Sequence, residues 1–302
     1  YPHDGLDLEM LLKNADTAMY RAKEMGRNNF QFYASEMNTS TLDRLLMESN
    51  LRRALVQREF ILHYQPLVCL ENGLIVGVEA LIRWQHPELG LIMPDRFIHV
   101  AEETGLINPI GDWVLCEACR QAQAWSESGL PSVVMAVNVA PVQFRQSGFV
   151  EVVAGALAAS GLDASRLELE LTERTVMHDA DINLGTLSAL HRMGVELSLD
   201  DFGTGYSSLA YLKRFPVGKL KIDRSFVHDL ETDPDDWAIA STIVSMGRSL
   251  RLTVLAEGVE TSEQLAQLRK MGCDMAQGYH FSRPLLAAGV SDMLRLQPFA
   301  NR

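Results

Sequence analysis

The feature that most restricts the fold of this chain is an alternation of short apolar, β-rich runs with longer amphipathic segments, which begins near residue 60. Alternation of this kind predicts βα units and a largely parallel sheet. Helical spacing of apolar residues covers residues 94–104, 111–128, 179–193 and 235–250. The eight predicted strands lie at residues 60–68, 74–84, 132–140, 166–173, 195–202, 218–224, 252–259 and 274–281.

Eight strands with intervening helices over about 240 residues are typical of a closed (β/α)8 barrel of the TIM type. An open, doubly wound sheet is the alternative, but no G-x-G-x-x-G motif follows an early strand. We therefore predict an α/β fold in which a TIM-type (β/α)8 barrel occupies residues 59–302.

Two further segments precede the barrel. An apolar stripe between Leu8 and Ala22 predicts a helix, and Phe30 and Phe32 alternate as in a strand. A lone helix and strand do not make a domain, so we expect residues 1–36 to be the end of a domain whose beginning is absent from this sequence. Residues 37–58 combine leucines with a charged remainder and predict a linker helix.

Composition excludes several classes of protein. A net charge of −12 argues against binding of polymeric DNA or RNA, which needs a basic face. No apolar run approaches the length of a membrane span and no signal peptide is evident, so we expect a cytoplasmic chain. Cys116 and Cys119 form a C-x-x-C pair within a helical pattern, and we interpret them as buried helix cysteines instead of a zinc or redox site.

Polar side chains fall near the carboxyl ends of seven predicted strands, where the active sites of such barrels lie. Several carboxylates in one small volume repel one another unless cations neutralise them. The histidines show no metal-binding spacing, so oxygen ligands favour Mg²⁺ or Mn²⁺, with two ions able to clamp a water and a phosphoryl oxygen. The residues concerned are Glu79, Asn138, Glu170, Glu173, Asp200, Asp201, Lys221, Glu257 and Gln277.

Lys221 has three possible roles: a Schiff-base nucleophile, an electrostatic partner, or a plain ion pair. The surrounding acids favour its ammonium form. A nucleophilic lysine needs a lowered pKa, so a role in positioning water or phosphate is favoured over a barrel lyase that uses Lys221.

A series of motifs between about residues 43 and 290 resembles the EAL domains, bacterial phosphodiesterases that hydrolyse cyclic di-GMP to linear 5′-pGpG. The segment at residues 14–33 resembles the end of a GGDEF, or diguanylate cyclase, domain without its catalytic loop, so no cyclase activity is expected. The motifs that carry the EAL resemblance are YQPLV, EALIRW, FIHVAEETGLI, ELTE, LDDFGTGYSSLAYL, LKIDRSFV, AEGVE and QGYHFSRP.

The resemblance implies a role for each matching residue, two Mg²⁺ or Mn²⁺ ions and a homodimer formed through the barrel. Lys221 would hold the nucleophilic water, and Gln277 would help to order a metal-bound water or the ligand. The first metal would be held by Glu79, Asn138, Glu170 and Asp200, and the second by Asp200, Asp201 and Glu257. Gln65 and Arg83 match positions that contact the dinucleotide. Glu173 would brace the loop that includes Phe202, Gly203 and Gly205 and couple it to the dimer interface.

One alternative remains within the same resemblance. Some EAL domains have lost metal ligands and act only as cyclic di-GMP receptors. Every acid of the motif set is present in this chain, which favours the enzyme, with Glu79, Asp200, Lys221 and Glu257 as its catalytic residues.

Overall fold

A computed structural model describes residues 8–24, 30, 32, 36–205 and 209–300 of the chain. Within this part, nine strands form one sheet, and eight of them close into a barrel. The strands are β1 (Phe60–Cys69), β2 (Ile75–His86), β3 (Gly90–Ile92), β4 (Val134–Asn138), β5 (Leu167–Thr172), β6 (Glu196–Phe202), β7 (Lys219–Ile222), β8 (Thr253–Ala256) and β9 (Met275–Ala276). The predicted barrel is confirmed.

The barrel departs from a fully parallel arrangement at its first strand. β1 pairs antiparallel with both β2 and β9, whereas the pairs from β2–β4 through β8–β9 are parallel. β3 lies outside the closed ring and continues β2 as an antiparallel hairpin. Only a short turn separates β1 from β2, and a connection of this length allows an antiparallel pair but no parallel crossover.

All eight predicted strands are present, but the last is much shorter than residues 274–281. β9 ends at Ala276 because the chain then passes very close to the loop after β8. A Cβ added at Gly278 would lie 2.0 Å from the Val259 carbonyl oxygen, so only glycine fits there. The close approach ends the strand directly before Gln277.

Helices surround the barrel, and the four predicted helical segments are confirmed with small shifts of their ends. A 3-10 turn at Pro94–Arg96 precedes α3, and a second lies at Ala164–Arg166. The helices of the described residues are α1 (Leu8–Glu24), α2 (Glu36–Gln57), α3 (Ile98–Glu103), α4 (Ile107–Glu127), α5 (Pro141–Phe144), α6 (Phe149–Ser160), α7 (Glu173–Met177), α8 (Ala180–Arg192), α9 (Leu209–Leu212), α10 (Ser225–His228), α11 (Pro234–Leu250), α12 (Ser262–Met271) and α13 (Ala287–Leu296).

The alternation of side chains along the strands separates two environments. In β5, Leu169 and Leu171 are fully buried, and Glu168 and Glu170 alternate with them on the other face of the strand. The leucines belong to the main hydrophobic core, whereas both glutamates form ion pairs with lysines of β7. One face of β5 therefore packs in the apolar core, and the other contributes the charged groups of the barrel.

The linker helix is confirmed as α2, and it packs firmly on the barrel. Leu51 and Ala54 are fully buried in the same core as the barrel strands, and Arg44 forms an ion pair with Glu103 of α3. Of the predicted cysteine helix, Cys119 is buried, but Cys116 is exposed, so the expectation of two buried cysteines is wrong for Cys116. The reason is helical geometry, since positions three apart lie at opposite margins of a narrow buried stripe.

The first segment is partly confirmed. The helix predicted from the apolar stripe is α1, but Phe30 and Phe32 are exposed and do not lie in a strand. The remaining positions of that expected strand lie outside the described residues, and the boundaries at residues 36 and 58 stay predictions. None of the described helices is long and apolar enough to cross a bilayer.

Candidate active site

A buried ammonium group lies at the centre of the candidate site. Lys221 of β7 is 1% exposed, and its Nζ lies 2.7 Å from Glu170 Oε2, 2.6 Å from Glu257 Oε1 and 3.1 Å from Asp200 Oδ1. These acids come from β5, from the end of β8 and from β6, so barrel closure brings them to one amine.

The electrostatics keep this amine protonated. Burial alone would lower the pKa of Lys221, but the charges of Glu170 and Glu257 raise it well above its ordinary value. Burial also raises the pKa of Glu170 well above the ordinary range, although the Lys221 ammonium opposes that shift. A permanently charged Lys221 is unsuited to Schiff-base chemistry, which agrees with the preference for an electrostatic role.

A second polar group centres on Glu79. Its Oε1 accepts a hydrogen bond of 2.5 Å from Asn138 Nδ2, and its Oε2 accepts one of 2.5 Å from Gln277 Nε2. Gln277 Nε2 also donates to Gln65 Oε1 at 2.9 Å. Burial would raise the pKa of Glu79, but the Lys221 charge and these hydrogen bonds outweigh it and lower the pKa. Glu79 is therefore held as a carboxylate.

The predicted position of Glu79 at the end of its strand is wrong. β2 continues to His86, seven residues past Glu79, because it pairs on one side with β1 and on the other with β3. Glu79 lies directly opposite Gln65 in the antiparallel register. The residue still reaches the site, since it is positioned by the β1–β2 hairpin in place of a strand terminus.

Asp200 and Asp201 come to the same site through a local distortion of β6. Neighbouring residues of a regular strand point to opposite faces. Here the register with β7 shifts between Leu199 and Phe202, so β6 carries one extra residue, and Asp201 has the left-handed value φ = +53°. The bulge brings one oxygen each from Asp200, Asp201 and Glu257 within 4.8 Å of one another.

Crowding of these acids shifts their titration. Burial and the neighbouring charges of Asp200 and Asp223 raise the pKa of Asp201 to about 6. The pKa of Glu257 rises to about 8 because burial and the Asp200 charge outweigh the effect of Lys221. Both groups therefore hold protons in a pH range where an ordinary carboxyl has lost them.

The residues present fit a hard divalent cation. Five carboxylates face one ammonium, and the Glu170 Oε1 and Gln277 Oε1 atoms are buried without a hydrogen-bond partner among the described residues. Oxygen donors of this kind suit Mg²⁺ or Mn²⁺. The acidic group of Asp200, Asp201 and Glu257 could hold a metal ion, and the donors of the other predicted set meet through two contacts, Asn138 with Glu79 and Lys221 with both Glu170 and Asp200.

The glycine loop after β6 rests on Glu173. The Gly203 backbone N–H donates to Glu173 Oε2 at 3.3 Å, and a Cβ at Gly205 would lie 3.0 Å from Glu173 Oε1. Glu173 is buried at the start of α7, and Phe202 is 3% exposed. Residues 206–208 of the loop lie outside the described residues. Support of the loop by Glu173 is thus observed, whereas its coupling to a dimer stays a prediction.

A cavity of about 210 Å³ opens at this mouth of the barrel. Gln65, Glu79 and Gln277 line it as predicted, but Arg83 does not, since it is buried and its Nη1 donates to the Ile82 carbonyl at 2.8 Å. Sequence reasoning missed several lining residues, although they lie within or beside motifs that it singled out. These are Leu81, Arg224, Gly258, Glu260, Gly278 and Tyr279.

The available signal for the missed residues was their distance from a strand end. Arg224 stands two residues after β7, and Tyr279 stands three residues after β9. Loops that follow the strands of such barrels form the mouth, so both positions were open to prediction.

The fold and the site together define a (β/α)8 barrel with an acidic, oxygen-rich mouth built around a buried lysine. A family model described as the EAL domain matches residues 48–284. The chain belongs to the EAL domain family.

Two curated relatives come from Pseudomonas aeruginosa. The bifunctional diguanylate cyclase/cyclic di-GMP phosphodiesterase MucR is 50% identical over 287 residues, which cover 95% of this chain and 42% of MucR. The cyclic di-GMP phosphodiesterase NbdA is 46% identical over 299 residues, which cover 99% of this chain and 38% of NbdA. The chain thus spans less than half the length of either relative.

The fold is also similar to that of a solved structure, the PaMucR phosphodiesterase in complex with c-di-GMP. The two share 50% sequence identity and superpose with a TM-score of 0.79 over 81% of this chain and 99% of the other.

Proposed function

We propose that this chain hydrolyses cyclic di-GMP to linear 5′-pGpG in a metal-dependent reaction. The observation that carries the proposal is the Lys221 ammonium, buried among Glu170, Asp200 and Glu257 beside a group of oxygen donors. The relatives MucR and NbdA support it, since both carry a cyclic di-GMP phosphodiesterase activity in their names. A cyclic di-GMP complex of the similar MucR phosphodiesterase identifies the ligand class.

The acids divide between two proposed ion sites. Mg²⁺ or Mn²⁺ bound there would supply Lewis acidity and lower the pKa of a bound water. Asp200 belongs to both sets because it lies between the Lys221 cluster and the Asp201–Glu257 pair. We assign Glu79, Asn138, Glu170 and Asp200 to the first ion and Asp200, Asp201 and Glu257 to the second.

Lys221 acts in this proposal by orienting, not by attacking. Its Nζ carries three protons, and its contacts with three carboxylates fix it in one place. From there it aligns the nucleophilic water and opposes negative charge that develops on the phosphate. Gln277, which holds Glu79 and Gln65 together, orders the side of the cavity where the ligand enters.

Gln65 and Arg83 are proposed to contact the dinucleotide. Gln65 lines the cavity and is fixed by its own donation to the Ser282 carbonyl at 2.9 Å. Arg83 lies beside Tyr279 and Glu79, whose charges oppose the effect of burial on its pKa. Its guanidinium would have to leave the Ile82 carbonyl to reach a ligand phosphate.

Chromatography of cyclic di-GMP after incubation with the protein and Mg²⁺ or Mn²⁺ tests the proposal. We expect conversion to linear pGpG that stops when EDTA is added. Intact cyclic di-GMP that nevertheless binds to the protein would identify a receptor and would contradict the enzyme.

We also propose a homodimer and a cytoplasmic location. Support for the dimer comes from α8, where Ile182 is 75% exposed, since an apolar side chain of this kind suits an interface. α8 contacts α7, which begins at Glu173. Light scattering of the purified chain should give twice the monomer mass, and a monomer at all concentrations would contradict the dimer. Hydrolysis of a bacterial second messenger places the chain in the cytoplasm.

A further inference from the structure

One cationic side chain at the mouth of the barrel has no role in the proposal above. Arg224 lines the same cavity as Glu79, Asp200 and Glu257. It is exposed, and within the described part of the chain its guanidinium makes no ion pair or side-chain hydrogen bond. Most surface arginines of this structure that face an acid do pair with it, as Arg120 does with Glu117 and Arg295 with Asp292.

The backbone holds Arg224 in this position. Asp223 accepts hydrogen bonds from the backbone N–H of Ser225 at 2.9 Å and from its hydroxyl, which fixes the turn between β7 and α10. Arg224 also packs against Gly258, where an added Cβ would lie 2.6 Å from the Arg224 Cβ. Gly258 directly follows Glu257, so Arg224 stands beside the Asp200–Asp201–Glu257 group.

The charge of the cavity gives this position its meaning. Among the residues that line it, four are acids, Arg224 is the cation, and Lys221 lies deeper among the carboxylates. A cyclic dinucleotide carries two phosphodiesters on opposite sides of its ring. When one lies over the metal-ligating acids, the other is carried away from them and needs a separate cationic partner. Guanidinium is well suited to that partner because its planar fork matches two phosphate oxygens.

We propose that Arg224 binds the non-scissile phosphodiester of the dinucleotide and so selects a substrate with two phosphates. This inference rests on the proposed function and adds a specificity-determining residue to it. The interaction forms on substrate binding and does not change in the chemical step. It therefore lowers KM and leaves kcat unchanged.

Steady-state kinetics of Arg224→Gln test the proposal. We expect KM for cyclic di-GMP to rise about tenfold, which corresponds to about 1.4 kcal/mol, with kcat changed less than about twofold. Arg224→Lys should lie between the two because it keeps the charge without the fork. Arg251→Gln is the matched control, since it removes the same charge at the start of β8, on the opposite face of the barrel.

A modified ligand makes the test specific to the second phosphate. In an analogue with one phosphodiester replaced by a neutral methylphosphonate, the remaining diester is the only anionic group. As a competitor, this analogue should bind wild type about tenfold more weakly than cyclic di-GMP binds, and Arg224→Gln should weaken it no further. Equal loss of affinity for both ligands on Arg224→Gln, or an unchanged KM, would overturn the proposal.

The two proposals fail in different ways. If wild type leaves cyclic di-GMP intact, the proposed function fails whatever Arg224 does. If wild type hydrolyses cyclic di-GMP and Arg224→Gln has the KM of the Arg251→Gln control, only the role of Arg224 fails.

Discussion

At the scale of single residues, the site is an excess of negative charge held around one amine. Lys221 touches Glu170, Asp200 and Glu257, and its buried ammonium cannot be removed without leaving carboxylates that repel one another. The same crowding explains why Glu257 and Asp201 titrate far above ordinary carboxyls. A cation-binding function and a shifted titration therefore have one physical cause.

Substitution of the central residues should abolish most of the activity. We expect Glu79→Ala, Asp200→Ala and Lys221→Ala each to lower kcat by at least about a hundredfold, since each removes a group that meets the reacting phosphate, its metal or its water. Asp292→Ala, which removes an exposed acid of α13, is the control and should keep the wild-type rate. A near-normal kcat for any of the three would show that its assignment is wrong.

The raised pKa values predict how the metal-free protein responds to pH. A carboxyl whose folded pKa is raised stabilises the fold below its unfolded pKa, near 4, and that stability is lost as the pH rises through the folded pKa. In EDTA, the free energy of unfolding should therefore fall between about pH 4 and pH 8, the window set by Asp201 at about 6 and Glu257 at about 8. Denaturant unfolding at several pH values measures it.

Two comparisons sharpen this pH experiment. Mn²⁺ should raise the unfolding midpoint more at pH 8 than at pH 6, because fewer protons compete for the ligands at the higher pH. Glu257→Gln should weaken the pH dependence in EDTA. Stability that rises from pH 6 to pH 8 without metal would contradict these pKa shifts.

At the scale of elements, the decisive features are the bulge in β6 and the loop that follows it. The bulge places Asp201 beside Asp200, and Glu173 at the start of α7 supports the loop through Gly203. Gly203 has φ = +99°, and Gly205 leaves room for the Glu173 carboxylate. The metal-ligating acids and α7 are thus connected through backbone contacts.

This connection predicts different effects for two substitutions of Glu173. Glu173→Ala removes the acceptor of the Gly203 N–H and opens a buried gap, so both Mn²⁺ affinity and kcat should fall by about tenfold or more. Glu173→Gln keeps an oxygen at that place and should recover most of both quantities. Calorimetric titration of Mn²⁺ together with kinetics provides the readout. Unaltered affinity and turnover in Glu173→Ala would separate this loop from the metal site.

The elements also show where sequence reasoning stops. Strand patterns and turn residues located all eight barrel strands, because apolar runs and their spacing depend on local sequence. They could not give the direction of β1, which is decided by pairing across the barrel, and so they misplaced Glu79. The bulge at Asp201 was equally hidden, since two adjacent acids in a strand predict side chains on opposite faces.

At the scale of the whole molecule, α2 and the barrel form one core. Leu51 and Ala54 are fully buried against the barrel, although the linker and the barrel were assigned to separate segments at residue 58. The family model also begins within this helix, at residue 48. Amphipathic spacing predicted the helix but not its partner, because a partner is fixed only by the tertiary fold.

Removal of the Leu51 side chain should therefore destabilise the barrel itself. We expect Leu51→Ala to lower the free energy of unfolding by about 2 to 5 kcal/mol, the usual cost of a buried cavity, with KM for cyclic di-GMP unchanged. Val56→Ala is the control, since Val56 on the same helix is 78% exposed. Equal stability of the Leu51 and Val56 variants would show that α2 does not contribute to the core.

The measurement that tests the central claim most directly is the product of cyclic di-GMP after incubation with wild type, with Lys221→Ala and with wild type in EDTA. We predict linear pGpG from wild type in Mg²⁺ or Mn²⁺ and almost none from the other two reactions. Intact cyclic di-GMP with wild type and metal, or equal conversion in all three reactions, would contradict the assignment of this site.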